Sequence, residues 1–420
     1  MDDAVDPGTQ QRIDDHGMAR DRRAARMVIG GHSLKHVYQN GFYVILPEVY
    51  TALSLSPIAA GTIETVRRIA GGVVSLGAGF ALDRYPRWRV ATIYLSVVAM
   101  GIGYMLAGAV PTYSGILVAV FIAAGASALW HPAALSVLSG AYAEQRGLMM
   151  SLHRSTGSMG DFLGPLVVGG LLVTMSWQNI LFGTLPLALV VACGLWLIVR
   201  RAPSWRPDAM VHTAGRTVRK QFTSLGRIVR SRTIVLLLLV GGVNGLAQGG
   251  LLLWLGLYLS ETQDMGSVGV GIHVALLTGL GIVAGPVFGH ISDRVGRKPV
   301  IVGVIAAKAG IAVLLAMVGG GLLFSVLIAA LGTVLFSVNS LVQASALDFA
   351  DGQQLEGSMV GLLWGSNAAF VGLSPLLVGF LVQTIGFGVL FWYVAAVSAL
   401  ALIAALTLPA SLSPTAELPG

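Results

Sequence analysis

Residues 79–87 read Gly-Phe-Ala-Leu-Asp-Arg-Tyr-Pro-Arg, and residues 289–297 read Gly-His-Ile-Ser-Asp-Arg-Val-Gly-Arg. Gly79, Asp83, Arg84 and Arg87 return as Gly289, Asp293, Arg294 and Arg297, half a chain of 420 residues further on. A charged turn repeated at that offset inside an apolar sequence indicates two fused homologous halves. The repeat extends beyond the turn: Gly164-Pro165 with Gly169 answers Ser374-Pro375 with Gly379, and Arg146-Gly147 answers Glu356-Gly357.

The solvent of this chain follows from its composition. Hydrophobic residues make up 55% and charged residues 11%, against roughly 25% charged in a soluble domain. Mean hydropathy is +0.79. No soluble core of this size needs so many apolar residues, so lipid is the expected solvent. The 55 glycines suit close helix–helix approach in a bilayer,. The single cysteine, Cys193, allows no disulfide within the chain and is read as packing,. The net charge of +7 does not indicate nucleic acid, because nearly all the basic residues are sorted into the N-terminal tail and alternate connections. Residues 1–26 are polar and Arg-rich and lack the apolar stretch and cleavage site of a signal peptide; a disordered cytoplasmic tail is expected,.

Twelve apolar stretches are long enough to span: 27–49, 57–82, 89–109, 114–139, 147–173, 178–200, 233–259, 267–292, 299–318, 321–347, 357–383 and 386–409. Each approaches or exceeds the ~20 residues a helix needs to cross the hydrocarbon core. Helices satisfy their own backbone there, so an all-α membrane protein is expected, with twelve transmembrane helices in two pseudo-symmetric six-helix bundles. Lys and Arg are missing from the odd-numbered connections and concentrated in the N-terminal tail and near 83–89, 140–146, 201–232 and 293–298. By the positive-inside rule both termini lie in the cytoplasm, and the location is the cytoplasmic (inner) membrane. The expected organisation is a tail (1–26), an N-terminal bundle (27–200), a basic cytoplasmic linker (201–232), a C-terminal bundle (233–409) and a C-terminal tail (410–420).

Charges within the spans cost roughly 2.5–3.5 kcal/mol each even on lenient scales and therefore face a cavity or a partner. Lys35 and His36 lie near the middle of the first span, on one side with His32, Gln39 and Tyr43 at helical spacing. Glu64, Arg67 and Arg68 lie on the second span; from Pro57, at about 1.5 Å per residue, the arginines are about 15 Å deep. His131 is on the fourth span, and His153, Arg154 and Asp161 are on the fifth. The second half offers mostly neutral polar groups: Asn244, Gln248, Asn339, Gln343, Trp364 and Asn367, with Lys308 read as a lone snorkelling side chain. Glu64 and Arg68, four residues apart, can neutralise each other, yet two acids against four bases leave a surplus. Arginine forks bind carboxylate and phosphonate, so the surplus points to an anionic guest. Glu64 and Asp161 are the candidates for binding and releasing a proton. His32 and His36 at i,i+4 suggest a metal, but the sequence shows no third ligand of matching depth, and no metal or cofactor is assigned.

Six plus six spans, a long central connection and Gly-x-x-x-Asp-Arg-x-Gly-Arg-Lys at 289–298 resemble the major facilitator superfamily over roughly residues 27–409. The first copy of that motif has Pro86 in place of Gly and Trp88 in place of Lys. Within the superfamily, His131-Pro132, Arg146-Gly-Leu-Met-Met-Ser-Leu152 and Gly160-x-x-x-Gly164-Pro165-Leu166 resemble the fosmidomycin-resistance exporters. The resemblance implies that Asp83 meets the eleventh helix near Gly357, that Asp293 meets the fifth near Gly147, and that Gly79 and Gly289 let those neighbours approach. It also implies that helices one, two, four and five face the central cavity. The site then has a cationic wall of Lys35, Arg67, Arg68 and Arg154 and a neutral wall facing it, with His36, Gln39, Tyr43 and His131 contributing.

The expected function is a secondary transporter, not an enzyme. It moves a small, anionic organic molecule by alternating access as a proton-coupled efflux antiporter and works as a monomer. Its partners are substrate, protons and the bilayer, not nucleic acid. Proton-coupled uptake by symport is the alternative. A membrane enzyme would need a clustered acid–base pair or metal ligands at an interface, and a channel would place ring-forming residues in an oligomer; the internal repeat instead completes a pathway within one chain.

Overall fold

The structure, a computed structural model, describes residues 7–142, 145–205, 231–350 and 356–409. Among the described residues it is helical throughout, without strands. Twelve helices follow one another: α1 (Pro7–Ala52), α2 (Pro57–Arg84), α3 (Arg89–Ala109), α4 (Tyr113–Ala141), α5 (Arg146–Leu171), α6 (Trp177–Val199), α7 (Arg232–Gln263), α8 (Ser267–Gly279, continuing as Gly281–Val295), α9 (Arg297–Met317), α10 (Gly321–Leu335, continuing as Ser337–Ala350), α11 (Glu356–Ile385) and α12 (Val389–Leu406). Proline sits at the first position of α1 and α2, where its missing N–H costs nothing. Thr112 caps α4, its hydroxyl accepting from the Gly115 amide at 3.1 Å.

The expected spans correspond to these helices, with one correction. Residues 7–26, expected to be disordered, are the first turns of α1. Arg, Gln and Ala favour helix there. The Asp21 carboxylate accepts from the Ser204 amide at 3.2 Å and the Ser204 hydroxyl at 2.6 Å, tying this extension to the Pro203–Trp205 turn. Residues 1–6, the 206–230 part of the basic linker and the 410–420 tail lie outside the described residues. Cys193 is exposed on α6 rather than packed within the protein.

The two copies of the charged turn solve one geometric problem in two ways. Gly296 enters α9 at φ +93°, a conformation that excludes most side chains,. The first copy has Pro86 at that position and makes a 3-10 turn over Pro86–Trp88 instead.

Nine of the helical spans among the described residues are apolar enough to cross a membrane. The three helices outside that set, α1, α2 and α5, carry most of the buried ionisable side chains, His32, Lys35, Glu64, Arg67 and His153; Arg89 on α3, His273 on α8 and Lys308 on α9 are buried as well. The same three are divided between two compact units. One unit comprises Met1–Tyr38, Val73–Gly160 and Gln178–Gly215; the other comprises Gln39–Gly72, Asp161–Trp177 and Arg216–Gly420. In the first unit α3 packs along α4, with Trp130 and Trp205 fully enclosed. The second is built around α7, whose Leu251, Leu253, Trp254, Leu255 and Leu257 are inaccessible, and which α11 and α12 flank. Within this unit α2 closes on α11. A Cβ on Gly61 would lie 2.5 Å from the Pro375 carbonyl oxygen, so only glycine permits that approach.

Candidate functional site

Three polar clusters interrupt the apolar interior. The first joins α1 and α2 within the second unit. Tyr43 donates its hydroxyl to Glu64 Oε1 at 2.8 Å; Arg68 donates from Nε to the same oxygen at 2.7 Å and from Nη2 to the Tyr43 oxygen at 2.6 Å. Arg67 Nη1 lies 3.0 Å from Glu64 Oε2. That contact is Coulombic without hydrogen-bond alignment, leaving Oε2 without a donor among the described residues. Arg67 also donates to the Gln39 carbonyl at 3.3 Å and lies over the rings of Phe42 and Tyr43, 5.2 and 4.9 Å from their centroids. One carboxylate therefore serves two guanidiniums. Arg67 is buried, whereas the Arg68 side chain keeps 29% of its surface open.

The second cluster gathers four histidines and a lysine in the first unit. The α1 residue His32 has its Nε2 3.1 Å from Nε2 of His131 on α4 and 3.1 Å from Nε2 of His36. Its Nδ1 donates to the His153 carbonyl on α5 at 2.7 Å, and the His32 and His153 rings stack at 3.7 Å. Lys35 Nζ is 3.0 Å from His131 Nδ1. His131, read from the sequence as part of the substrate site, is thus the third imidazole beside His32 and His36, a grouping the sequence does not show because α4 is about a hundred positions from α1.

The third cluster lies in the second unit. Lys308, read from sequence as snorkelling, is completely buried and donates to Asn244 Oδ1. Asn244 donates to Asn339 Oδ1 at 2.9 Å, and Asn339 donates to Gln248 Oε1 at 2.8 Å. An ammonium has only donors, so it fixes the orientation of every amide after it. The chain ends with the Gln248 NH₂ as its free donor group. Among the described residues no carboxylate lies within ion-pair distance of Lys308. A buried cation held by an amide is costly,.

The remaining sequence-designated residues are distributed more widely. Asp161 accepts from the Asn40 amide, and its carbonyl accepts from Thr278 at 2.8 Å. Asn367 donates to the Gly241 carbonyl at 3.0 Å; Gln343 is half-buried; Arg154 is exposed. The side chains of Asp83 and Trp364, and Gly147 and Gly357 beyond their backbone, lie outside the described residues. Asp293 pairs with Arg297 at 2.5 Å, and Arg297 also donates to Asp348 at 2.8 Å. Arg84 lies over Tyr85 and Arg87 over Trp88, and Arg294 is exposed. A Cβ on Gly79 or Gly289 would meet no described atom within 4 Å.

Comparison with known proteins gives a consistent pattern. The sequence profile of the Major Facilitator Superfamily matches residues 31–364. The chain is 24% identical over 344 residues to the uncharacterized MFS-type transporter YfnC of Bacillus subtilis, covering 79% of this chain and 82% of that one. It is 25% identical over 272 residues to a probable 4-methylmuconolactone transporter of Cupriavidus pinatubonensis, covering 62% and 60%. Its fold superposes on the nucleoside transporter NupG with a TM-score of 0.74 at 12% identity, over 92% of this chain and 98% of that one. It also superposes on a bacterial homologue of the human lysosomal transporter Spinster, in its inward-facing and unoccupied conformation, with a TM-score of 0.73 at 13% identity, over 93% and 95%. At such identities the structural likeness is one of fold.

Proposed function

The chain belongs to the Major Facilitator Superfamily, a family of multi-pass membrane transporters of small solutes, and from that premise we propose that it carries a small organic anion by alternating access, coupled to protons, across the cytoplasmic membrane. The observation that carries the anion reading is the shared carboxylate. Glu64 is shared between Arg67 and Arg68, and the more accessible guanidinium is that of Arg68. Beyond the two N–H groups that Glu64 and Tyr43 engage, the Arg68 guanidinium has further donors to present to a carboxylate or phosphonate,. On the C-terminal half, the Gln248 NH₂ is a further donor held by Lys308 through two asparagines.

Coupling follows from the same geometry. Glu64 and an incoming anion compete for one guanidinium. Protonating Glu64 releases Arg68 and leaves two positive charges for the guest, so proton and anion favour the same state. That linkage supports symport, the second of the two directions read from the sequence. The motifs resembling the fosmidomycin-resistance exporters favour efflux by antiport, with Asp161 as the coupling acid. A carboxylate shared between proton and guest bears on coupling more directly than a likeness of short motifs, so symport is the direction proposed.

The test has two arms. A thermal-shift screen of the purified protein against small phosphonates, phosphates and carboxylates identifies an anionic ligand; the shift should vanish in Arg68→Ala. In proteoliposomes that ligand should draw protons in the same direction as itself. Proton movement in the opposite direction would establish antiport, and undiminished transport by Arg68→Ala would remove the anion reading.

A further inference from the structure

We propose that His32, His36 and His131 form a binding site for a divalent transition-metal ion of the zinc, cobalt or nickel class. One ring nitrogen of each lies within 4.8 Å of the others. His32 and His36 share one face of α1 at i,i+4, and α4 supplies His131. In a tetrahedral site with metal–nitrogen bonds of about 2.0–2.1 Å, ligand nitrogens stand about 3.3–3.4 Å apart. Two of the three separations here are 3.1 Å, so a small outward movement of the rings makes room for an ion.

The hydrogen bonding points the same way. His32 donates from Nδ1 to the His153 carbonyl, which leaves the Nε2 lone pair facing its neighbours. Such a backbone bond on the far nitrogen is the usual support of a metal-ligating imidazole. One lone pair accepts one hydrogen, yet two other Nε2 atoms contest it at 3.1 Å. An ion at the junction engages all three lone pairs and removes the conflict once the His131 proton passes from Nε2 to Nδ1 and Lys35, a donor only, turns away from that nitrogen,. Both ring nitrogens of buried His153, stacked on His32, have no hydrogen-bond partner among the described residues. The site is also closely shaped: a Cβ on Gly157 would lie 2.6 Å from His32 Cε1 and 3.1 Å from His36 Nε2, so α5 approaches the rings only through glycine.

An all-imidazole donor set suits zinc, cobalt, nickel and copper, whereas magnesium and calcium require oxygen ligands. The Lys35 ammonium, 3.0 Å from His131 Nδ1, is a competing cation. It makes a specific prediction: removing its charge strengthens metal binding, although it is not a ligand. The inference is independent of the anion site, which uses residues of the other unit.

Cobalt(II) alone, titrated into the purified full-length protein in detergent, is the probe. The expected result is one equivalent bound with the intense visible absorption of four-coordinate cobalt, displaced by zinc. His36→Gln and His131→Gln should each weaken binding at least tenfold, Lys35→Met should tighten it, and His290→Gln should leave it unchanged. Thermal unfolding without metal checks that each variant is folded. An absent cobalt band, or an affinity unmoved in both His36→Gln and His131→Gln, would overturn the site.

Discussion

Glu64 is the residue on which the α1–α2 cluster depends. Its pairing with Arg68 is readable from the i,i+4 spacing, but its second guanidinium and the Tyr43 hydroxyl come together only in the fold. Glu64→Gln removes the counter-charge of buried Arg67 as well as that of the more open Arg68, and should lower stability by about 3–5 kcal/mol, the cost of breaking a buried ion pair from one side, seen as a large fall in the thermal unfolding temperature. Arg68→Met leaves the Arg67–Glu64 pair balanced, so its unfolding temperature should stay near that of the parent while transport is lost. Lys308 yields a sharper comparison. Lone basic residues in a span usually reach for the interface, and sequence alone offers nothing against that reading; the amide chain that receives the ammonium is assembled from α7 and α10. Asn244→Leu leaves the ammonium without an acceptor and should destabilise strongly. Lys308→Met removes the charge with similar volume and should be neutral or stabilising. The double variant should recover most of what Asn244→Leu loses, a coupling measurable by a double-mutant cycle of unfolding temperatures.

At the level of elements, hydropathy identifies the helices and misjudges only where polar work is done. Spans in α3, α4, α6 and α12 are legible because lipid dictates their composition. The α1, α2 and α5 helices are too polar for that test, and they are the ones divided between the two compact units. The N-terminal extension of α1 is polar enough to read as a tail; its Asp21 is held by Ser204, a tertiary partner that no local pattern shows. Glycines distinguish tight from open faces. A side chain at Gly61 meets the Pro375 carbonyl, whereas one at Gly79 meets no described atom. Gly61→Val should therefore cost about 1–3 kcal/mol of overpacking, and Gly79→Val should cost little or nothing by the same unfolding measurement. If Gly79 admits a neighbouring helix in another state of the cycle, Gly79→Val is a stable protein that transports slowly. Full transport by that variant would leave the duplicated turn as a topological anchor.

The whole molecule is governed by where its charges are allowed to be. The repeat at half the chain length, the even number of helices and the sorting of Lys and Arg are all visible in the sequence because translocation and lipid act on sequence directly. The histidine and lysine clusters are invisible there because they are assembled from residues some sixty to a hundred and twenty positions apart. The charge sorting has a consequence that does not depend on any cluster. The connection at 110–112 carries no basic residue, whereas the turn at 84–89 holds Arg84, Arg87 and Arg89. Basic residues are retained in the cytoplasm during insertion, so these two connections should face opposite sides of the membrane, with the C-terminus on the side of the arginines. Fusions to a phosphatase that folds only outside the cytoplasm and to a fluorescent protein that folds only inside it separate the possibilities. The phosphatase should be active after Pro111 and silent after Leu408, and the fluorescent protein should show the reverse. Phosphatase activity after Leu408 would place the duplicated arginine turns outside the cell, where they cannot act as a cytoplasmic latch, and would invert the direction assigned to every step of the transport cycle.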